Sequence, residues 1–181
     1  YKLFADAVSA GWVNTIYAHD SLGYGIPSFI RPWTGYWISV LDLGVSVTYP
    51  IHKGSSSSVS RTNRDQSSWN ISFEAATGQA VDRITVMGVA EDATEGFDPM
   101  HDIAEAPNPP GGEFVSMSVY HPDWANVLGV RFAQDLKSPV EPGSYREWTF
   151  KIESSSEEVE LSWIMSGLPD EYQVGYNYSD G

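Results

Sequence analysis

Apolar and polar residues alternate along much of this chain with a period of two. In WNISFEA, Trp69, Ile71 and Phe73 fall on one side and Asn70, Ser72 and Glu74 on the other. REWTFKI repeats the pattern with Trp148, Phe150 and Ile152, and EEVELSW with Val159, Leu161 and Trp163. FVSMSVY does so with Val115, Met117 and Val119, and YQVGY with Tyr172, Val174 and Tyr176. Successive side chains of a strand point to opposite faces, so each run predicts a strand with one buried and one wet face. KLFADAV, YWISVL, VSVTYP, RITVMGVA and GVRFAQ add further strands, for about ten in all. Helical character is confined to HPDWANVLG, residues 121–129, where Pro122 can start a turn and Gly129 end it. Strands separated by Gly, Pro and Ser turns predict an all-β fold: an antiparallel β-sandwich or jelly roll with long loops.

One segment breaks the pattern. KGSSSSVSRTNRDQSS, residues 53–68, is almost wholly polar. It reads as a long loop inside a single module spanning 1–181, or as a linker between an N-terminal segment, 1–52, and a main sandwich, 69–178. The first fifty residues hold too few strands to bury a core alone, which favours the single module.

Composition narrows the function. The 181 residues are 41% apolar, enough for a real core. The formal net charge of −14 repels nucleic acid and anionic lipid, and sets both aside as partners. With no cysteine, disulfides, Cys-ligated zinc and a Cys nucleophile are excluded. No apolar run approaches the roughly eighteen residues of a membrane span. The chain opens on Tyr1 without a signal peptide and closes on YNYSDG, so it reads as an excised or processed part of a longer protein.

The stretch EDATEGFDPMHDIAEAPNPPGG, residues 91–112, packs six carboxylates, one histidine and four prolines between two strand-like runs. Calcium takes six to eight hard oxygens, and Glu91, Asp92, Glu95, Asp98 and Asp102 are candidate ligands for a structural calcium ion. The spacing is not that of an EF-hand. The plainer reading is a solvated acidic loop, turned at Gly96 and Pro99 and stiffened by Pro107, Pro109 and Pro110. His101, beside Asp98 and Asp102, is a weaker pointer to a transition metal. No GxSxG elbow, P-loop, HExxH or GxGxxG occurs. With 24 acidic residues, a pair at glycosidase spacing carries no specificity. The balance falls on a non-catalytic protein, which could still be part of a larger carbohydrate-active enzyme.

Aromatic residues supply the other candidate chemistry. RPWTGYWI sets Trp33 and Tyr36 beside a Pro-Thr-Gly turn, YAHDSLGYG sets Tyr17 and Tyr24 in a Gly-rich loop with His19 and Asp20, and HPDW carries Trp124. Sugars stack their C–H faces on such rings while nearby polar groups bind the hydroxyls. Trp33, Tyr36, Tyr24, Trp124 and Tyr17 are therefore the candidate polysaccharide contacts. Trp37, Trp69, Trp148 and Trp163 lie on apolar faces of alternating runs and are expected in the core.

AGWVNTIYAHDSLGYGIPSFIRPWTGYWISV resembles the GW…P…GYW segment of accessory regions in large secreted bacterial proteins, with Val13 where those regions usually have Asn. The stretch from WNISFEAATGQAVDRITVMGVAEDATEGFD to LSWIMSGLP is similar to the β-sandwich modules that follow such segments. The resemblance implies an extracellular or cell-surface accessory module, carbohydrate-binding in some members, lying beside other domains. The alternative is a structural, assembly or sorting module whose edge strands pair with a neighbour.

Overall fold

The computed structural model describes residues 4–19, 23–31, 34–46, 67–109, 111–124, 128–141 and 143–178. Along these the chain forms α1 (Phe4–Ser9), β1 (Val13–His19), β2 (Tyr24–Gly25), β3 (Tyr36–Val40), β4 (Ser67–Ala76), β5 (Val81–Asp82), β6 (Val86–Ala90), β7 (Ile103–Ala104), β8 (Val115–Tyr120), β9 (Arg131–Lys137), β10 (Phe150–Ser154) and β11 (Glu160–Ser166). The fold is nearly all β, in two sheets that stay open. The small sheet has the order β2-β1-β3. The large one runs β10-β8-β9-β6-β4-β11, with β5 on β4 and β7 on β9. The ladders are antiparallel except β6–β9, which is parallel because the chain crosses over through residues 91–130 between them.

The large sheet folds over itself to make the sandwich. Phe73 of β4 meets Phe150 of β10 at 4.9 Å between ring centres, although three strands separate them in sheet order. Ala75, Ala80, Val115 and Met117 are buried between these layers. Trp69, Ile71, Met87 and Val89 form the adjoining core, with Trp148 and Leu168 packed against it. Removing each of the Val, Ile and Met side chains among these from water contributes roughly 1.5–3 kcal/mol. Backbone approach is close here too: a Cβ at Gly88 would run into the Trp69 carbonyl.

Side chains hydrogen-bonded to backbone clip the layers together. Asp82 Oδ2 accepts the Met117 N–H at 2.7 Å, and Thr85 Oγ1 donates to the Met117 carbonyl at 2.6 Å. Both backbone groups of one β8 residue are thus satisfied by the β5–β6 segment. Asn14 does the same between sheets. Its Nδ2 donates to the Asp102 carbonyl at 2.7 Å and its Oδ1 accepts the Ala104 N–H at 2.9 Å. Tyr17 adds its hydroxyl, donating to the Ala104 carbonyl at 2.6 Å. Residues three apart on a regular strand point to opposite faces. Here Val13 and Ile16 pair with Val40 and Ile38, so one extra residue bulges into β1, and Asn14 and Tyr17 reach β7 together.

Several expected elements come out differently. KLFADAV contains a helix, not a strand. Within so short a run, alternation of Leu3, Ala5 and Ala7 cannot be told from the helical spacing of Phe4 and Val8. The two alanines favour the helix, and Gly11 closes it at φ 70°. The Trp12 N–H bonds back to Ala7 and the Gly11 N–H to Val8, a Schellman closure. At 121–124 the chain makes a turn, with residues 125–127 outside the described set. YQVGY is exposed and irregular, and among the described residues no strand pairs with it. Trp37 and Trp163, expected in the core, are 52% and 48% exposed because each lies on an outer strand beyond the cover of the opposing layer. Trp69 is buried as expected, and Trp148 packs on it. The serine-rich residues 53–66 lie outside the described residues.

The Asn14 clip makes a quantitative prediction. Asn14→Ala leaves the Ala104 N–H of β7 and the Asp102 C=O just before it without these partners and is expected to cost about 3 kcal/mol, against about 1 kcal/mol for Tyr17→Phe. Urea unfolding of the two variants beside the parent chain measures both.

Candidate functional site

The small sheet turns an aromatic face toward the large one. Pairing of His19 with Tyr24 and of Tyr17 with Trp37 puts all four side chains on one side of the sheet. The Tyr24 ring meets His19 edge-on at 4.7 Å and Tyr17 at 6.2 Å. Tyr17, at the centre, is 2% exposed and packs with Ile103, Ala106 and Ala133. Tyr24 is half-buried at the margin, and Trp37 is hydrogen-bonded to its hydroxyl. Burial pushes the Tyr24 phenol above its ordinary pKa. Gly23 fixes how closely this margin approaches the large sheet. Its φ is +141°, and a Cβ there would stand 2.5 Å from the Val81 carbonyl oxygen.

Between the sheets lies a cavity of about 60 Å³, walled by His19 and Tyr24 on one side and by Asp82, Glu105, Asn108 and Ser116 on the other. On the far side of Tyr24 an open hollow of about 410 Å³ is lined by Ile26, Arg83, Ile84, Val86 and Gln134. The small cavity holds water-sized groups, whereas the hollow is wide enough for a sugar ring with Tyr24 as the shared wall. Glu105 Oε2 is buried without a hydrogen-bond partner, while Oε1 accepts from Ser116 Oγ at 3.4 Å. Burial, reinforced by Asp82, holds the Glu105 carboxyl well above the usual carboxylate range, against the pull of Arg131. Burial also raises Asp82, offset by the N–H groups of Ile84 and Met117. Asn108 is held by Arg131 and Glu153 at 3.2 Å each, and those two residues are themselves ion-paired. The wall opposite Tyr24 therefore offers acid and amide groups set in place by other side chains.

The remaining expected sugar contacts fall elsewhere. Tyr36 is half-buried, and its hydroxyl accepts the Arg31 N–H at 2.6 Å, closing its own loop. Trp124 is stacked on His121 at 3.6 Å and 4°, with Phe132 edge-on at 4.8 Å. It roofs a buried pair in which His121 Nε2 lies 2.9 Å from Asp135 Oδ2. Trp33 lies outside the described residues. Of the five rings, the structure brings Tyr17 and Tyr24 together, and Tyr17 is committed to the core.

The acidic stretch is tied down by its own carboxylates. Asp92 pairs with His101 at 3.0 Å. Glu95 accepts from Arg146 Nη1 at 2.8 Å and from Ser138 Oγ at 2.7 Å, bridging to the segment after β9. Asp98 accepts the Met100 N–H at 3.0 Å and gives its own N–H to Asp102 Oδ2 at 2.6 Å. Asp102 is buried and also accepts the Leu136 N–H at 3.3 Å. Glu91 is exposed at the turn after β6. These five residues hold separate positions, and among the described residues no group of three His, Asp or Glu side chains gathers as a metal site.

Alternation could not have selected Asp82, Glu105 and Asn108, because they meet Tyr24 only through the docking of two sheets. His19 was visible as a polar neighbour in YAHDSLGYG. Trp37 was visible only as an apolar strand residue.

Asp102 gives the molecule a distinctive response to pH. Burial, reinforced by Asp135, pushes its pKa from 3.8 to about 9. Between those values the folded chain keeps a proton that the unfolded chain releases, so stability falls as pH rises, by about 1.4 kcal/mol per unit for this group. Urea midpoints measured from about pH 4 to 9 are expected to decline steadily, and Asp102→Asn to flatten that decline. Asp82 and Glu105, raised in the same direction, sustain what slope remains. No protein family, curated protein or solved structure matches the chain.

Proposed function

We propose that the protein is a non-catalytic accessory module of a secreted or cell-surface protein and that it binds a neutral polysaccharide at the Tyr24 margin. The observation that carries this reading is Tyr24 itself, a half-buried ring with a polar wall on one side and an open hollow on the other. A sugar ring stacks by its C–H face on such a surface, and its hydroxyls need donors and acceptors in fixed positions. In the hollow beside Tyr24, the Arg83 guanidinium and the Gln134 amide are the polar side chains that can meet sugar hydroxyls. Trp37 extends the aromatic surface outward. The net charge of −14 argues for a neutral polymer over an anionic one. The resemblance of the GW and sandwich segments to secreted accessory modules points the same way.

Retention of the whole chain on soluble and insoluble polysaccharides tests the reading. The parent chain is expected to be retarded on at least one neutral polymer. Tyr24→Ala is expected to weaken retention about tenfold or more, and Trp37→Ala by a smaller factor. Tyr36→Phe, away from the cavity, is expected to leave it unchanged. A parallel run with chelator separates the sugar contact from any dependence on calcium. Undiminished retention in Tyr24→Ala would sink the assignment of the site.

A further inference from the structure

The two edges of the large sheet are built differently. At one end, β10 carries Lys151 and Glu153 among its five residues. Such charges guard an edge against pairing with another chain. At the other end, β11 has the sequence ELSWIMS, without lysine, proline or a register irregularity against β4. All seven of its residues are exposed, and β4 is its only strand partner among the described residues.

The apolar stripe on β11 continues the core. Leu161, Trp163 and Met165 pair with Ala75, Phe73 and Ile71, so they stand on the same side of the sheet as buried core positions, yet the opposing layer stops short of them. Ile164, on the other face, is 71% exposed. The following segment adds to the same flank, where Tyr176 meets Trp163 at 6.4 Å. A sheet that ends on uncovered apolar residues and unguarded backbone is built for the addition of a strand.

Charge selects the kind of strand. Glu157 and Glu158 precede β11, Glu160 is its first residue, and Asp170 and Glu171 follow it. From residue 152 to the C-terminus the sequence has no Lys, Arg or His. A second copy would bring two such acidic segments together on bodies that each carry −14. We propose that β11 is a docking edge for an apolar β-strand flanked by Lys or Arg residues, contributed by a different protein or domain. The added strand extends the large sheet beside β11, its side chains cover the Leu161–Trp163–Met165 stripe, and its basic ends meet the acidic runs. This inference is independent of the polysaccharide reading.

Synthetic peptides test it on the full chain. One has alternating Thr and Val with two lysines at each end, a second has the same centre with glutamates at the ends, and a third has proline at the central positions. The Lys-flanked peptide is expected to bind at least ~10-fold more tightly than the Glu-flanked one at low salt, and to lose most of that margin at high salt. It should slow hydrogen exchange of the β11 amides, and the proline peptide should not bind. Ile164→Lys and Trp163→Lys are expected to weaken binding, with urea midpoints confirming that each variant is folded. Equal binding of the two flanked peptides overturns the charge assignment. Failure of both to bind overturns the docking edge. Concentration-dependent dimerisation of the chain alone, abolished by Ile164→Lys, overturns it in favour of a second copy.

Discussion

The arrangement of the two sheets depends on a buried amide, Asn14, with the Tyr17 hydroxyl beside it. Asn14 presents to β7 the donor and acceptor that a neighbouring strand would present, and it does so from the small sheet. An amide suits this position because it carries both functions in one plane, whereas a carboxylate or a hydroxyl would satisfy them less completely. The Tyr24 cavity exists because of this docking. Its aromatic wall belongs to the small sheet and its polar wall to the large one, so the geometry of the site depends on a hydrogen-bonded joint and on the bulge that aims Asn14 into it. The Asp82–Thr85 clip on Met117 repeats the device inside the large sheet. Where strands end or diverge, side chains take over the hydrogen bonding that ladders supply elsewhere.

Period-two alternation revealed most of the large sheet. WNISFEA, FVSMSVY, GVRFAQ and EEVELSW each correspond to a strand, because alternation records a strand with two different faces. The same logic misled for KLFADAV, where a short helix and a short strand look alike, and for YQVGY, whose pattern has no partner strand among the described residues. It also overstated burial at Trp37 and Trp163. Alternation says which face a residue shares but not whether another layer extends far enough to cover it. The parallel β6–β9 ladder leaves no mark in either strand. The site divides in the same way: Tyr24 was legible from its loop, but the acids and amide across from it come from distant segments.

Acidic residues play two parts in this molecule. Most form an exposed negative surface. Asp82, Asp102, Glu105 and Asp135 instead sit inside or at the inner walls, among backbone N–H groups and hydroxyls. Burying a carboxylate is costly unless it is paired or protonated. Asp135 is paired with His121, while Asp102 beside it is driven toward the protonated form. The residues 91–102 that look like an open ligand cradle in sequence are used to fasten the crossover between β6 and β9. Their anchors include Arg146 and Ser138 beyond β9 and His101 within the loop.

The placement of β11 bears on how the chain reaches its fold. β4 lies between β6, which follows it closely in sequence, and β11, which comes about ninety residues later. During synthesis β4 is therefore made long before its second neighbour, and one of its edges stays open while the crossover, β9 and β10 are made. Of the ladders in the large sheet, β4–β11 joins residues farthest apart in sequence, which places its closure among the later steps of folding. Until β11 pairs, the edge of β4 that it covers stays open to strands of other chains.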